Sequence, residues 1–288
     1  MFENRARSLI VVGANGRVGR LLIPAFRALG ASVALTHRGG GRLTADMAEL
    51  TWAPTEGPAA LVGFVQEHGV PAAMLVLAGS TPATGTDQSV NETVALASLA
   101  AARAAGIGRI LLASSSAVYG RGRDAAWHED DRPDPATAYG RAKLAAETNC
   151  AGPDVCALRI GNVAGADSLL CNENRPVMID QFADGSGPQR SYIGPVTLAR
   201  VLVSLAQTPA HLPPVVNVGA SLPVDMADLA RAAEIPFTWR EAAPGVTKRL
   251  TLDMGRLGHL VPLDDREACA SDIIAQWQAC KTSRDETL

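Results

Sequence analysis

At 288 residues the chain has room for one large domain, or a main domain with a small lobe, and excludes three domains. Hydrophobic residues at 47% and charged residues at 19% exclude a disordered chain, and a net charge of −3 gives no reason to expect a nucleic-acid or anionic-membrane partner. Five cysteines with no CxxC pair argue against structural zinc and against a secreted disulfide scaffold. No apolar run reaches the length of a membrane helix. The opening MFENRARSLIVVG moves straight into a strand-like run without the pattern of a cleavable signal. The expectation is a cytoplasmic protein with reduced thiols and no bound metal.

Along the chain, short apolar runs alternate with Ala/Leu-rich stretches of helical character. Strands are predicted at Ser8 to Val12, Ser32 to Thr36, Leu50 to Ala53, Ala73 to Ala78, Arg109 to Ala113 and Val155 to Ile160. Helices are predicted at Val18 to Leu29, Ala59 to His68, Asp87 to Ala105 and Ala138 to Asn149. Strands separated by helices need crossover connections, hence a mostly parallel, doubly wound sheet with helices on both faces. After Gly161 the rhythm changes, with Gly, Pro, Asn and Asp crowding the stretch to Pro195 around one apolar run at Pro176 to Phe182. Helices follow at Val196 to Ala206, Asp225 to Ala233 and Arg266 to Ala279, with strands at Val215 to Val218 and Phe237 to Trp239. The predicted fold is α/β: a cofactor-binding domain over 1–160, then a small C-terminal substrate lobe over 161–288 with elements returning to the main domain.

The first strand and helix are joined by VVGANGRVGRLL, with Gly13, Gly16 and Gly19 spaced G-x-x-G-x-x-G. One glycine permits a tight turn, the next lets a phosphate approach bare backbone, and the last allows close packing of helix on strand. Asn15, Arg17 and Val18 complete a turn whose free amides face a pyrophosphate at the helix N-terminus. Three glycines also mark ordinary tight turns; the strand–glycine–helix order is what favours a dinucleotide. The second strand ends VALTHRG, with no acid between Val33 and Gly41 to accept from an adenosine ribose diol. Arg38 can pair with a 2′-phosphate and His37 can assist or stack. NADP is therefore favoured, with NAD an alternative.

A proton-transfer set lies further on. LLASSSAVYG ends a strand with Ser114, Ser115 and Ser116, and AYGRAK places Tyr139 and Lys143 four apart on one helix face. A phenol of pKa near 10 is a poor base at neutral pH, and a nearby ammonium favours its ionised form. A tyrosine and a lysine at this spacing also occur on helices that carry no chemistry. Their position behind a dinucleotide motif and a serine-terminated strand gives them meaning.

Taken in order, GANGRVG, Asn91, SSSAVYG, YGRAK and LRIGNVAG resemble the extended short-chain dehydrogenases/reductases of the NAD(P)-dependent epimerase/dehydratase group. GSGPQRSYIG, VVNVG and LDMGRLGHLVP extend the resemblance over nearly the whole chain. It implies a Rossmann-like fold and Ser115, Tyr139 and Lys143 as the catalytic set, with Lys143 also on the nicotinamide ribose. Leu77, Ala78 and Gly79 would lie beneath the cofactor, and Ser115, Ser116, Asn162 and Arg190 would meet substrate. Arg190 matches an arginine that often grips a sugar nucleotide's diphosphate. The implied activity is hydride transfer at a carbinol or carbonyl carbon of a sugar-like or small hydroxy/keto substrate, as an oxidoreductase or epimerase. A homodimer through the helix from Asp87 and the helix of Tyr139 is implied as well.

Two departures qualify this expectation. Ser116 and Ala117 stand where dehydratases of the group carry Asp-Glu, which argues against water loss. The stretch from Asn162 to Arg190 is short for a nucleotide-sugar enzyme, which makes a smaller alcohol or ketone credible. The alternative class is a catalytically inactive NAD(P)-binding regulatory or structural protein; the intact Ser115, Tyr139 and Lys143 argue against it. Trp127 either covers substrate or packs in the core, and Glu129, Asp130 and Asp131 are expected in a solvated loop. Cys150 and Cys156 are expected as buried small side chains.

Overall fold

The computed structural model describes residues 8–39, 41–80, 87–172 and 177–285. The first half contains β1 (Leu9–Val12), α1 (Arg17–Ala28), β2 (Val33–His37), β3 (Ala48–Thr51), α2 (Ala59–His68), β4 (Ala73–Val76), α3 (Val90–Ala104), β5 (Ile110–Ser115), α4 (Ala138–Asn149) and β6 (Val155–Ile160). The second half contains β7 (Asn162–Val163), β8 (Val177–Gln181), β9 (Gln189–Arg190), β10 (Tyr192–Ile193), α5 (Pro195–Gln207), β11 (Val215–Val218), β12 (Val224–Asp225), α6 (Met226–Ala232), β13 (Phe237–Glu241), β14 (Arg249–Leu250), α7 (Gly255–Leu260) and α8 (Ala270–Asp285).

Seven strands form one sheet in the order β11-β6-β5-β4-β1-β2-β3, and every neighbouring pair is parallel. This is the Rossmann-like, doubly wound α/β arrangement. At its centre β1 and β4 are apolar throughout because both faces are covered. On β1, Leu9 and Val11 pack with Leu22 of α1, Leu202 of α5 and Ile273 of α8. Ile10 and Val12 face the other way, onto Leu61 of α2, Leu99 of α3 and Ala146 of α4. The strand order reverses beside β1, so the connections that leave the carboxyl ends of β1 and β4 run to opposite faces of the sheet, and the crevice between such connections is where ligands bind in open α/β sheets. Beyond β6, β7 pairs with β10, β8 with β13, and β9 with β12 and β14. Of these short strands only β7 reaches the cavity described below, while β11 pairs with β6 in the main sheet.

Several predicted boundaries move for identifiable reasons. The helix expected from Asp87 starts at Val90, because the Asp87 carboxylate accepts from Ser89 N at 2.9 Å and Ser89 Oγ at 2.7 Å, holding a turn. The strand expected to reach Ala78 ends at Val76, since the amides of Leu77 and Ala78 both donate to Val12 O at 2.9 Å. The strand expected at Leu50 to Ala53 lies at Ala48–Thr51, with Trp52 buried and its Nε1 donating to Gly57 O at 2.8 Å. The final helix starts at Ala270 rather than Arg266, because Asp264 and Glu267 close a capping box around a separate short turn. The helix Gly255–Leu260 lies in a segment where no helix was expected. Residues 1–7, Gly40 and Pro176, which fall within or beside predicted elements, lie outside the described residues.

Candidate active site

The turn after β1 is built by its glycines. Gly13 has φ +86°, and a Cβ there would meet Ala78 Cα and N at 2.7 Å. A Cβ on Gly19 would lie 2.4 Å from Ala14 O, so α1 packs directly on the turn. At Gly16 the nearest atom is Gly13 O at 3.3 Å, which leaves its other side open. Gly16 caps α1 without a side-chain bond, so the first amides of the helix have no side-chain acceptor there. Such a cradle fits a pyrophosphate.

A cavity of about 450 Å³ opens from this turn. At one end it is lined by Gly13, Asn15, Gly16, Arg17, Val18 and Gly19, with Leu77, Gly79 and Ser80 beside them. Ser115, Tyr139 and Lys143 line its middle, and Asn162, Ala166 and Asp167 line its far end. The three residues of the expected proton-transfer set thus meet the glycine turn in one space. His37, Arg38, Ala78, Asn91, Ser116 and Arg190 do not line it.

Each of those six has another place. His37 is buried at the end of β2, with Nε2 3.3 Å from Glu49 Oε2, while Nδ1 accepts from Gly39 N at 3.2 Å. Its ring is therefore turned toward β3, away from the role of assisting a phosphate. The Glu49 carboxylate also accepts from Leu43 N and Thr44 N, so the acid missing from β2 stands on the next strand and organises the loop between them. Arg38 is exposed beside that loop. Ala78 supports Gly13 from below. Asn91 is buried and accepts from Ser80 N at 3.0 Å while donating to Ser80 O at 3.1 Å, so it shapes the Gly79–Ser80 turn from behind. Ser116 begins a short 3₁₀ turn. Arg190 donates to the carbonyls of Gln189, Lys248 and Thr247 at 2.8, 3.1 and 3.2 Å, which fixes it in the lobe's small sheet.

Within the cavity, Lys143 is buried and its Nζ donates to Ala113 O at 2.9 Å. Burial depresses its pKa to about 8, against the opposing field of Glu147. The same nitrogen lies 5.9 Å from the centroid of the Tyr139 ring. Burial raises the Tyr139 phenol above its usual value, while a hydrogen bond with Ser115 and the field of Arg17 pull it down. The Lys143 ammonium is held by the Ala113 carbonyl, and the positive charge whose field lowers the phenol is that of Arg17. At the far end, burial raises the Asp167 carboxyl, and Oδ1 accepts from Tyr192 OH at 3.0 Å.

Among the charged residues around this site, sequence reasoning missed Glu147, Arg159 and Asp167. The signals were a charge inside the apolar strand VCALRI and an acid four residues beyond Lys143. The loop expected to be solvated is also partly internal. The Glu129 side chain is fully buried and its Oε1 accepts from Asn217 N at 2.9 Å. Trp127 stacks on Tyr119 at 5.1 Å with the Arg123 guanidinium 3.9 Å from its ring, so it packs away from the cavity. Cys150 and Cys156 are buried free thiols, and burial raises them to about 11 and about 12. Among the described residues no group of three or more His, Cys, Asp or Glu side chains could hold a metal, and no helix is long and apolar enough to cross a membrane.

No curated protein matches the chain in sequence at a significant level. Among solved structures, MoeE5 in complex with UDP-glucose and NAD is 24% identical, with 96% of this chain and 99% of that chain aligned and a TM-score of 0.74. The UDP-glucose-4-epimerase of Stenotrophomonas maltophila, with bound NAD and formylated UDP-arabinopyranose, is 18% identical over 97% and 99% of the two chains, with a TM-score of 0.77. TunA, an NAD-dependent NDP-hexosamine 5,6-dehydratase, is 19% identical over 97% and 99%, with a TM-score of 0.73. At these identities the likeness is one of fold. The sequence profile of the NAD dependent epimerase/dehydratase family matches residues 9–219, well over half the chain, and the protein belongs to that family.

Proposed function

We propose that the cavity is the active site of an NAD(P)-dependent oxidoreductase or epimerase acting on a carbinol or carbonyl carbon of a sugar-like substrate. The observation that carries this reading is the meeting of Ser115, Tyr139 and Lys143 with the Gly13–Gly19 turn in one space. A bound nicotinamide dinucleotide supplies hydride exchange. This chain supplies the rest. The open side of Gly16 and the amides at the start of α1 would hold the pyrophosphate, and Lys143 would hold the ribose. Ser115 orients the substrate oxygen, and Tyr139 gives or takes its proton at the phenol oxygen. The intact set favours turnover over a binding protein without chemistry.

The solved neighbours carry nucleotide sugars, which supports a sugar-nucleotide or smaller sugar-like substrate. Asn162 and Asp167 at the far end of the cavity are suited to hydroxyl groups. Arg190 reaches a diphosphate only by exchanging its carbonyl partners for it. The neighbours hold NAD; our preference for NADP rests on Arg38 at the end of β2 and on the absence of an acid there. We further assign residues 1–160 to the cofactor and 161–288 to the substrate lobe, and place the protein in the cytoplasm as a homodimer through α3 and α4. Val90 and Leu96 of α3 are exposed apolar side chains.

The test is to identify any dinucleotide retained on purification by mass spectrometry, then to screen carbonyls and nucleotide sugars. Retained NAD regenerated in each cycle supports an epimerase, and freely exchanging NADPH supports a reductase. Failure to bind any nicotinamide dinucleotide overturns the proposal.

A further inference from the structure

Two consecutive residues at the end of β5 are tied to successive turns of α4, and a third shares the cavity with it. Ala113 O accepts from Lys143 Nζ, Ser114 Oγ donates to Glu147 Oε1, and Ser115 lines the same cavity as Tyr139. Tyr139, Lys143 and Glu147 are spaced by four, so they form one stripe along the helix. Glu147 is also gripped from β6. Arg159 Nε lies 3.2 Å from both carboxylate oxygens and Nη2 lies 2.8 Å from Oε2. The side chains of this pair are only 5% and 6% exposed. Arg159 Nη1 continues to Tyr119 OH at 3.0 Å, and that hydroxyl donates to Asn217 Oδ1 at 2.7 Å.

A buried ion pair is a poor stability device. Its desolvation offsets much of its attraction, and apolar replacements of similar volume are often no less stable. What this pair does achieve is placement. It joins the three elements whose ends form the middle of the cavity, and it puts a carboxylate one turn from a buried lysine that has no ion-pair partner of its own among the described residues.

We propose that Glu147, held by Arg159 and Ser114, is a positioning residue that locks α4 against the ends of β5 and β6 and supplies the negative charge that lets Lys143 remain an ammonium in its buried setting. The charged and titratable groups around Lys143 are consistent with this. Tyr139 and Glu147 share its helix, Arg159 stands behind Glu147 on β6, and Arg17 and Asp167 line the same cavity. Glu147 is the group whose field opposes the depression of the lysine by burial. The inference rests on Lys143 belonging to the working site, as proposed above.

The chain has only three lysines, Lys143, Lys248 and Lys281, so 13C-ε-lysine NMR resolves Lys143 without any substrate. Lys143→Met assigns the signal. In the wild type it should titrate near 8. In Glu147→Gln the midpoint should fall by about one pH unit, a tenfold change in acidity. Where Glu147→Gln does not fold, Glu147→Leu/Arg159→Met removes both charges and leaves neither ion buried alone, and a smaller fall in the same direction is expected because the more distant Arg159 charge, which opposes the ammonium, is removed as well. An unmoved midpoint in a folded variant overturns the proposal. So does loss of the fold in both variants, which would make the pair a structural necessity. Adding NADP or NAD to the wild type tests the functional reading separately: a Lys143 signal that ignores the dinucleotide refutes that reading while leaving the Glu147 coupling measurable.

Discussion

Replacing Lys143 by methionine should stabilise the protein near neutral pH, and the gain should shrink as the pH rises. The lysine falls from 10.5 to about 8 on folding because burial penalises its charge. That difference corresponds to about 3 kcal/mol of destabilisation wherever the ammonium must be buried charged. Between the two values the unfolded chain binds more protons than the folded one, so wild-type stability rises with pH across this window. Below about pH 8 the penalty is fully present. From about pH 7 to about pH 9.5 the wild type should recover about 2 kcal/mol that methionine has no means to recover. Methionine also forfeits the bond to Ala113 O, worth about 1 kcal/mol, but that loss does not vary with pH. The changing difference between the two proteins therefore isolates the lysine. Urea unfolding followed by tryptophan fluorescence at several pH values reads it directly. Parallel stability curves, or a methionine advantage that grows with pH, would refute the reasoning.

Other outcomes follow from the same geometry. Tyr139→Phe should lower turnover by about 10²- to 10⁴-fold with dinucleotide affinity nearly unchanged, checked by steady-state kinetics and titration once a substrate is found. Gly13→Ala should destabilise the fold by more than about 2 kcal/mol, since it meets Ala78 at 2.7 Å from a backbone at φ +86°; thermal unfolding at wild-type level would count against the packing argument. Asn91→Ala removes the bonds to Ser80 N and Ser80 O and should destabilise by about 1–3 kcal/mol while weakening dinucleotide binding, measurable by calorimetry. Arg38→Glu should weaken NADPH far more than NADH; equal losses would remove Arg38 from cofactor choice.

The parallel sheet was legible because its signal is local. LIVV, VCALRI and VVNV are apolar runs, and the helices between them leave room only for crossovers. The glycine turn and the Tyr139–Lys143 spacing were legible for the same reason, as each lies within one turn or one helix. What escaped depends on contacts between elements distant in sequence. His37 reads as free to meet a phosphate until Glu49 on the next strand turns its ring away. Arg190 reads as a grip for anions until the carbonyls of Thr247 and Lys248 arrive beside it. Glu129 reads as part of a solvated acidic run until the amide of Asn217 draws it inward. The order of Tyr139 and Lys143 along α4 was plain, but the lysine's bond to Ala113 and its depressed pKa required the burial that only the folded chain supplies.

In the function proposed above, the glycine turn and the Ser115–Tyr139–Lys143 set serve one bound dinucleotide. A crystal structure of the protein with NADP or NAD tests it most directly. Pyrophosphate is expected on the amides at the start of α1, the nicotinamide ribose on Lys143, and the nicotinamide ring against Ser115 and Tyr139. A dinucleotide seated elsewhere, or in this cavity with its nicotinamide turned away from Tyr139, would contradict it.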